Sequence, residues 1–279
     1  MDVLSSYPFF SGTKPRILGH RGAAGVAPEN TLVSIQRAFD DGAQFVEIDL
    51  QGAKDGEVII IHDDTLERTT DGHGQVKEHS LKELKSLNAG YRFTPDNGAS
   101  YPYRDQKIEI PTLEEFFSTF PKAKAIVEIK QSAPPIVKKV VQSVRRFARE
   151  GQILLATEKD EIMNEIRSEL SKNSLPIATG FSYGEVAAFI RWVAAGKPAG
   201  APPTGGQALQ IPCEYNGMTL VSAETVQAAH DLGIEMFVWT VNDTDEMKRL
   251  LRLSVDGIIT DYPGRLASLV RQKKAFQGS

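Results

Sequence analysis

Cysteine is nearly absent from this 279-residue chain: Cys213 stands alone. No internal disulfide can form, and nothing implies an oxidising compartment. Long apolar runs are missing as well, with no stretch reaching the roughly 18 residues of a membrane-spanning helix. The opening MDVLSSYPFFSGTKPRILG lacks the basic start and long apolar centre of a secretory signal. The expected location is therefore cytoplasmic. Basic excess is lacking too, since 32 Lys and Arg against 36 Asp and Glu leave a net charge of −4. That balance supplies no footprint for nucleic acid and argues against broad adhesion to anionic membranes.

What remains is the composition of an ordinary globular enzyme, 41% hydrophobic and 24% charged. Strand-like runs occur at RILGH (16–20), FVEIDLQ (45–51), VIIIH (58–62), KAIVEIK (124–130) and QILLAT (152–157). Four more are PIATGF (176–181), ALQIP (208–212), EMFVWTVN (235–242) and GIIT (257–260). Helical patterns lie between most of them. Thr31 to Asp41 opens on a Thr cap, Ile136 to Glu150 carries apolar residues at helical spacing, and Asp243 to Leu253 starts at an acidic cap. Strand–helix alternation without a linker predicts an α/β protein with a single domain over 1–279, a TIM-type (β/α)8 barrel. A doubly wound open sheet is the competing arrangement. Nine candidates for eight positions leave one strand outside the barrel.

Two stretches break the alternation. FVEIDLQ and VIIIH are joined only by GAKDGEV, shorter than the roughly dozen residues a crossover helix needs. They read instead as a hairpin turning at Lys54-Asp55-Gly56. Centred near Asp55, that hairpin sets His62 across from Ile48, beside Glu47 and Asp49. Residues 67–111 are rich in Gly, Tyr, Asp and Thr, with one short helical piece around Leu81 to Leu87. An irregular insertion of that length is usually functional, and it is expected to form a small subdomain over the barrel mouth, following the third strand. The Pro/Gly-rich segment 195–207 reads as a loop and is expected to be mobile.

The chemistry-bearing residues cluster at strand ends, where barrel enzymes keep their sites. Glu47 and Asp49 are two apart on one strand and so share a face; Glu128 and Lys130 repeat the spacing on another. Carboxylates converging among apolar strands are costly to bury unpaired, and a divalent cation removes that cost. Oxygen-only ligands select a hard ion, Mg²⁺ or Ca²⁺, over zinc. Core salt bridges such as Glu128–Lys130 are the alternative. Of the five histidines, His20 and His62 each end an apolar strand run, which suits acid–base chemistry near neutrality. His73 and His79 fall in the insertion and read as solvated, and His230 as a cation at a helix C-terminus.

HRG with PENT, then VEIDL, HDDTLERTTDG, VEIK, VWTVND and DGIITDYP, in that order over residues 17–263, resemble the glycerophosphodiester phosphodiesterase family. The resemblance implies hydrolysis of glycerophosphodiesters to sn-glycerol 3-phosphate and an alcohol, with a Ca²⁺ or Mg²⁺ requirement. It implies Glu47, Asp49 and Glu128 as metal ligands, and His20 and His62 as the acid–base pair. Arg21 and Lys130 correspond to cations that contact the phosphate, and Trp239 to an aromatic wall of the substrate pocket. Glu29 falls near the site. Asp261 and Pro263 are motif positions open to a structural or a functional reading. The expected partner is a small-molecule glycerophosphodiester. Attack by the glycerol 2-hydroxyl, followed by water opening the cyclic phosphate, is the implied course, with Gly22 and the Ala/Gly turn after it letting backbone approach the phosphate.

One run leaves the substrate open. SYGEVAAFIRWVAAG carries Val186, Phe189, Ile190, Trp192 and Val193 at helical spacing. It reads either as an outer helix with a core-facing stripe or as an apolar surface for an acyl chain. The second reading would make the enzyme a lysophospholipase D. A barrel that only binds phosphodiesters is disfavoured, because every expected histidine and carboxylate is present.

Overall fold

The computed structural model describes residues 3–277 other than 201, 203 and 204. Its strands are β1 (Arg16–His20), β2 (Phe45–Gly52), β3 (Val58–Ile60), β4 (Lys124–Ile129), β5 (Ile153–Ala156) and β6 (Ala178–Thr179). They continue as β7 (Ala208–Pro212), β8 (Glu214–Tyr215), β9 (Met218–Thr219), β10 (Glu235–Trp239) and β11 (Gly257–Thr260). The helices are α1 (Leu32–Asp40), α2 (Leu81–Leu84), α3 (Leu113–Thr119), α4 (Val137–Arg146) and α5 (Asp160–Lys172). After them come α6 (Tyr183–Ala194), α7 (Ala223–Asp231), α8 (Thr244–Leu253) and α9 (Pro263–Gln277).

Eight strands run parallel in the order β6-β5-β4-β2-β1-β11-β10-β7. A parallel bridge between Gly180 and Ala208 and a 2.9 Å bond from Gln207 N–H to the Thr179 carbonyl join the two ends. The sheet thus closes on itself as a (β/α)8 barrel rather than an open sheet. Among the described strands β3 pairs only with β2, antiparallel, so the ninth candidate, VIIIH, lies outside the barrel. Its ladder sets Leu50 opposite Ile60, a register that continues to Ile48 opposite His62.

Period-two alternation sorts the strand residues into two layers. Leu18, Phe45, Ile126, Leu154, Ala178, Ala208, Phe237 and Ile259 form the apolar barrel interior. The alternate residues Ile17, Val46, Ile48, Val127, Leu155, Leu209, Met236, Val238 and Ile258 pack outward against the helices. Phe9 and Phe10 close the N-terminal end of the interior, with ring centroids 5.2 Å from Phe45 and 6.5 Å from Phe237 respectively. Two residues beyond Leu18, Phe45, Ile126, Phe237 and Ile259 stand His20, Glu47, Glu128, Trp239 and Asp261. The apolar plug therefore ends one pleat below a polar layer at the C-terminal mouth.

The helix starts follow their caps. Thr31 accepts from Ser34 N–H at 3.2 Å, and Asp243 accepts from Asp245 and Glu246 N–H at 3.0 and 2.8 Å. Residues of 67–111 gather with β3 around a separate apolar cluster that includes Ile59, Ile61, Leu66, Val76, Leu84 and Ile110. α6 buries Phe189 and Val193 in the core, while Trp192 leans on Phe189 at 6.3 Å and donates to the carbonyls of Pro198 and Gly200. Its apolar stripe, Phe189 and Val193 with Val186, Ile190 and Trp192 beside them, packs on the barrel wall, so it is an outer helix. The segment 195–207 is an irregular connection; its positions 201, 203 and 204, and the mobility expected of them, lie outside the described residues. Strands β8 and β9 are absent from the sequence-based expectation, although their turn is Asn216-Gly217 at φ +50° and +76°, a strong hairpin signal.

Candidate active site

Three carboxylates meet at the mouth. Register places Asp49 of β2 beside Glu128 of β4, and Glu47 of β2 beside His20 of β1. One carboxylate oxygen from each of Glu47, Asp49 and Glu128 lies within 4.8 Å of the others. Glu47 and Asp49 are buried. The expected salt bridge also exists, inside the cluster: Lys130 Nζ is 2.7 Å from Glu128 Oε1 and 3.3 Å from Asp49 Oδ1. Arg21 Nε is 3.2 Å from Asp49 Oδ2.

Two cations leave the group short of positive charge. Burial, then Asp49 and Glu128 nearby, pushes the Glu47 carboxyl up to about 8. Glu128 is raised as well, by burial and by Asp49 acting against Lys130. Burial lowers the Lys130 ammonium, but Glu128 and Asp49 outweigh it and hold the group well above its usual range. Carboxylates that resist losing their protons among themselves fit a hard divalent cation, which supplies the missing charge to an all-oxygen donor set.

The loop after β1 is built around this cluster. Arg21 adopts φ +50° and Asn30 φ +56°, sparsely populated values that cost of order 1–3 kcal/mol each. In return Arg21 N–H donates to Glu47 Oε2 at 3.1 Å. Asn30 Nδ2 donates to Asp49 Oδ2 at 2.8 Å, and Asn30 Oδ1 accepts from Asp49 N–H at 3.2 Å. Gly22, at φ +88°, has a reason nearer than the phosphate: a Cβ there would stand 2.5 Å from Ser34 Oγ on α1.

Each histidine leans on its own carboxylate. His20 Nδ1 is 2.7 Å from Asp261 Oδ1, and Asn242 Nδ2 holds the other Asp261 oxygen at 2.5 Å. His62 Nδ1 is 2.6 Å from Asp63 Oδ1. A carboxylate accepts, so both Nδ1 atoms carry the proton and both Nε2 atoms are left to react. Burial lowers the His20 pKa, but its bond to Asp261 and the nearby Glu47 prevail and raise it. His20 Nε2 is 4.0 Å from Glu47 Oε2. His62 has its bond to Asp63 and, through its carbonyl, one from Gln51 Nε2 at 3.1 Å.

A second ion-pair run borders the site. Glu29 takes Arg21 Nη1 at 2.7 Å and a two-pronged contact from Arg68 at 2.7 Å on each oxygen. Arg68 also grips Asp63, with Nε 2.5 Å from Oδ2 and Nη2 3.0 Å from Oδ1. Burial opposes, but Arg68 and Arg21 hold the Glu29 carboxyl down at about 2; against the same cost, Arg68 and His62 do so for Asp63. Trp239, at the end of β10 and 43% exposed, stands at the rim opposite Pro212 in register.

His73 is exposed and the His79 ring bonds the Gln75 carbonyl, both within the insertion. His230 sits in the last turn of α7 with Nε2 2.9 Å from Asp256 Oδ2, at the opposite end of the barrel. Sequence reasoning assigned no role to Asn30, Asp63, Arg68 or Asn242. Asp63 directly follows His62, and a polar residue beside each histidine was the available signal; nothing in the spacing joined Arg68 to Glu29.

A model of the glycerophosphoryl diester phosphodiesterase family matches residues 20–265. The chain is 29% identical over 270 residues to a glycerophosphodiester phosphodiesterase of Caldanaerobacter subterraneus, covering 93% of this chain and 99% of that one. It is 30% identical over 259 residues to one of Bacillus subtilis (88% and 83%), and 26% identical over 281 residues to a lysophospholipase D of Mus musculus (93% and 87%). In structure it is similar to a glycerophosphoryl diester phosphodiesterase domain of Mycobacterium tuberculosis, with a TM-score of 0.81 at 21% identity over 93% and 100% of the chains. It is also similar to an Oleispira antarctica phosphodiesterase in complex with the product sn-glycerol-3-phosphate, with a TM-score of 0.71 at 25% identity over 92% and 97%.

Proposed function

The chain belongs to the glycerophosphoryl diester phosphodiesterase family, and we propose that it hydrolyses glycerophosphodiesters with His20 and His62 as its acid–base pair. The products are sn-glycerol 3-phosphate and an alcohol. Supporting this reading above all is the meeting of Glu47, Asp49 and Glu128 at the mouth, beside two imidazoles whose Nε2 atoms are free to take or give a proton. Those carboxylates would hold a divalent cation, Mg²⁺ or Ca²⁺, which when bound neutralises charge on the phosphate and acidifies the attacking hydroxyl.

One histidine takes the proton of the glycerol 2-hydroxyl as that oxygen attacks phosphorus, and the other protonates the departing alcohol oxygen. Water then opens the resulting cyclic phosphate with the two roles exchanged. Asp261 and Asp63 keep each ring in the tautomer this exchange needs. Arg21 and Lys130 present positive charge to the phosphate, and Trp239 walls the pocket. The segment 67–111 shapes the pocket for the leaving alcohol, since Arg68 at its start reaches Asp63 and Glu29.

A second reading, turnover of lysolipids, is favoured by one observation. Tyr183, Tyr215, Met218 and Trp239 are 43–58% exposed and lie at or after the C-terminal ends of β6, β7 and β10. Comparison of kcat/KM for glycerophosphocholine and lysophosphatidylcholine separates the two, each run with and without chelator. Soluble diesters are expected to be turned over faster, with activity lost on chelation and in Glu128→Gln. A lysolipid preference of orders of magnitude, at ~0.8 kcal/mol per buried methylene, would reverse the substrate choice. Full activity in chelator would end the cation assignment.

A further inference from the structure

Arg68 has a geometry out of proportion to its place on the surface. Its side chain is 46% exposed, and ion pairs of such exposure contribute little to stability. Yet its guanidinium makes four charge-assisted contacts of 2.5–3.0 Å with two carboxylates from different loops. Each of those carboxylates continues inward. Asp63 holds the Nδ1 face of His62, and Glu29 holds Arg21 Nη1, whose Nε in turn meets Asp49. One planar fork therefore spans the loop after β1 and the chain leaving β3, which have no covalent connection near the site.

We propose that Arg68 is a positioning residue that sets His62, through Asp63, and Arg21, through Glu29, in one frame. It ties the 67–111 segment to the chemistry of the mouth. The inference rests on the acid–base reading of His62. Lysine cannot replace it, because one ammonium can touch two carboxylates but cannot give each the paired, planar contact that fixes its orientation. Without the fork, Asp63 and Glu29 keep their inner partners but lose the outer contact that selects one rotamer for each. The imidazole and the guanidinium of Arg21 then sample orientations that do not coincide.

The test is steady-state hydrolysis of glycerophosphocholine by the full chain with saturating divalent cation. Wild type, Arg68→Ala, Arg68→Lys and His62→Ala are compared, and thermal stability is followed in parallel. Arg68→Ala is expected to lower kcat by roughly 10- to 100-fold, as loss of an orienting partner does elsewhere, with a much smaller change in KM and only a small fall in Tm, the protein staying fully folded at the assay temperature. Guanidinium ion at a non-denaturing concentration should restore part of the lost kcat, and methylammonium should not; Arg68→Lys should stay impaired. If Arg68→Ala turns over like wild type while His62→Ala is inactive, the positioning role falls and the acid–base reading stands. If His62→Ala itself retains full turnover, the acid–base reading falls. A loss of kcat that tracks a lowered Tm and ignores guanidinium would make Arg68 a structural residue only and overturn the proposal.

Discussion

At the N-terminal end of the barrel, Arg16 meets Glu235 in the buried interior. Lys14 reaches both Glu235, at 3.1 Å, and Asp256, at 2.5 Å. His230 and the Met236 N–H occupy the remaining Asp256 oxygen at 2.9 and 2.8 Å. At the C-terminal end the same residue types lie in the same barrel, but the acids face one another. Glu47, Asp49 and Glu128 converge within 4.8 Å, with Glu47 receiving one backbone N–H and Glu128 one ammonium. Burial of charge is thus no mark of function by itself. Two acids matched by Arg16 and Lys14 hold the fold together, whereas three acids gathered around only Arg21 and Lys130 form a place for something else to bind.

The largest test of this contrast concerns the mouth. His20→Ala and His62→Ala are each expected to lower kcat on the order of 10²–10⁴-fold while leaving the fold intact. Because both act in one mechanism, the double variant should be little worse than either. Multiplicative losses would mean independent roles.

A pair of isosteric changes then compares the two ends directly. Glu235→Gln strips the charge that Arg16 and Lys14 face, and is expected to cost about 3–5 kcal/mol in denaturant unfolding, with kcat of the folded protein unchanged. Glu47→Gln should raise stability in chelator at neutral pH, since burial beside Asp49 pushes its carboxyl up to about 8 and folding the wild type must take up a proton that the unfolded chain has released. It should abolish both turnover and the rise in Tm on adding cation. Equal stability losses at the two ends would erase the distinction.

The smallest effect lies at the rim. Glu29 and Asp63 have carboxyl pKa values near 2, below their unfolded values, so the folded state binds their protons less readily than the unfolded chain does. Their stabilisation is fully present above about pH 5. It fades as pH falls through 4 toward 2. Unfolding free energy measured over that range should drop less steeply in Arg68→Met than in wild type, and parallel curves would show that Arg68 contributes nothing to either shift.

Much of this was legible along the chain, because period two is a local property. Glu47 and Asp49 share a face wherever their strand is placed, and GAKDGEV is too short for a crossover, so the hairpin and its register at His62 followed from spacing alone. The nine strand runs and the caps at Thr31 and Asp243 belong to the same kind of information, carried by neighbours a few positions apart. Tertiary structure decided everything that depends on which strands become neighbours. Closure put β1 between β2 and β11, bringing Asp261 to His20 across 241 positions and setting Glu47 beside His20. It also turned the stripe of α6 to the wall and left β3 outside. The grip of Arg68 on Glu29, 39 positions away, has no periodic signature, since it joins two irregular loops whose approach is set by the barrel between them.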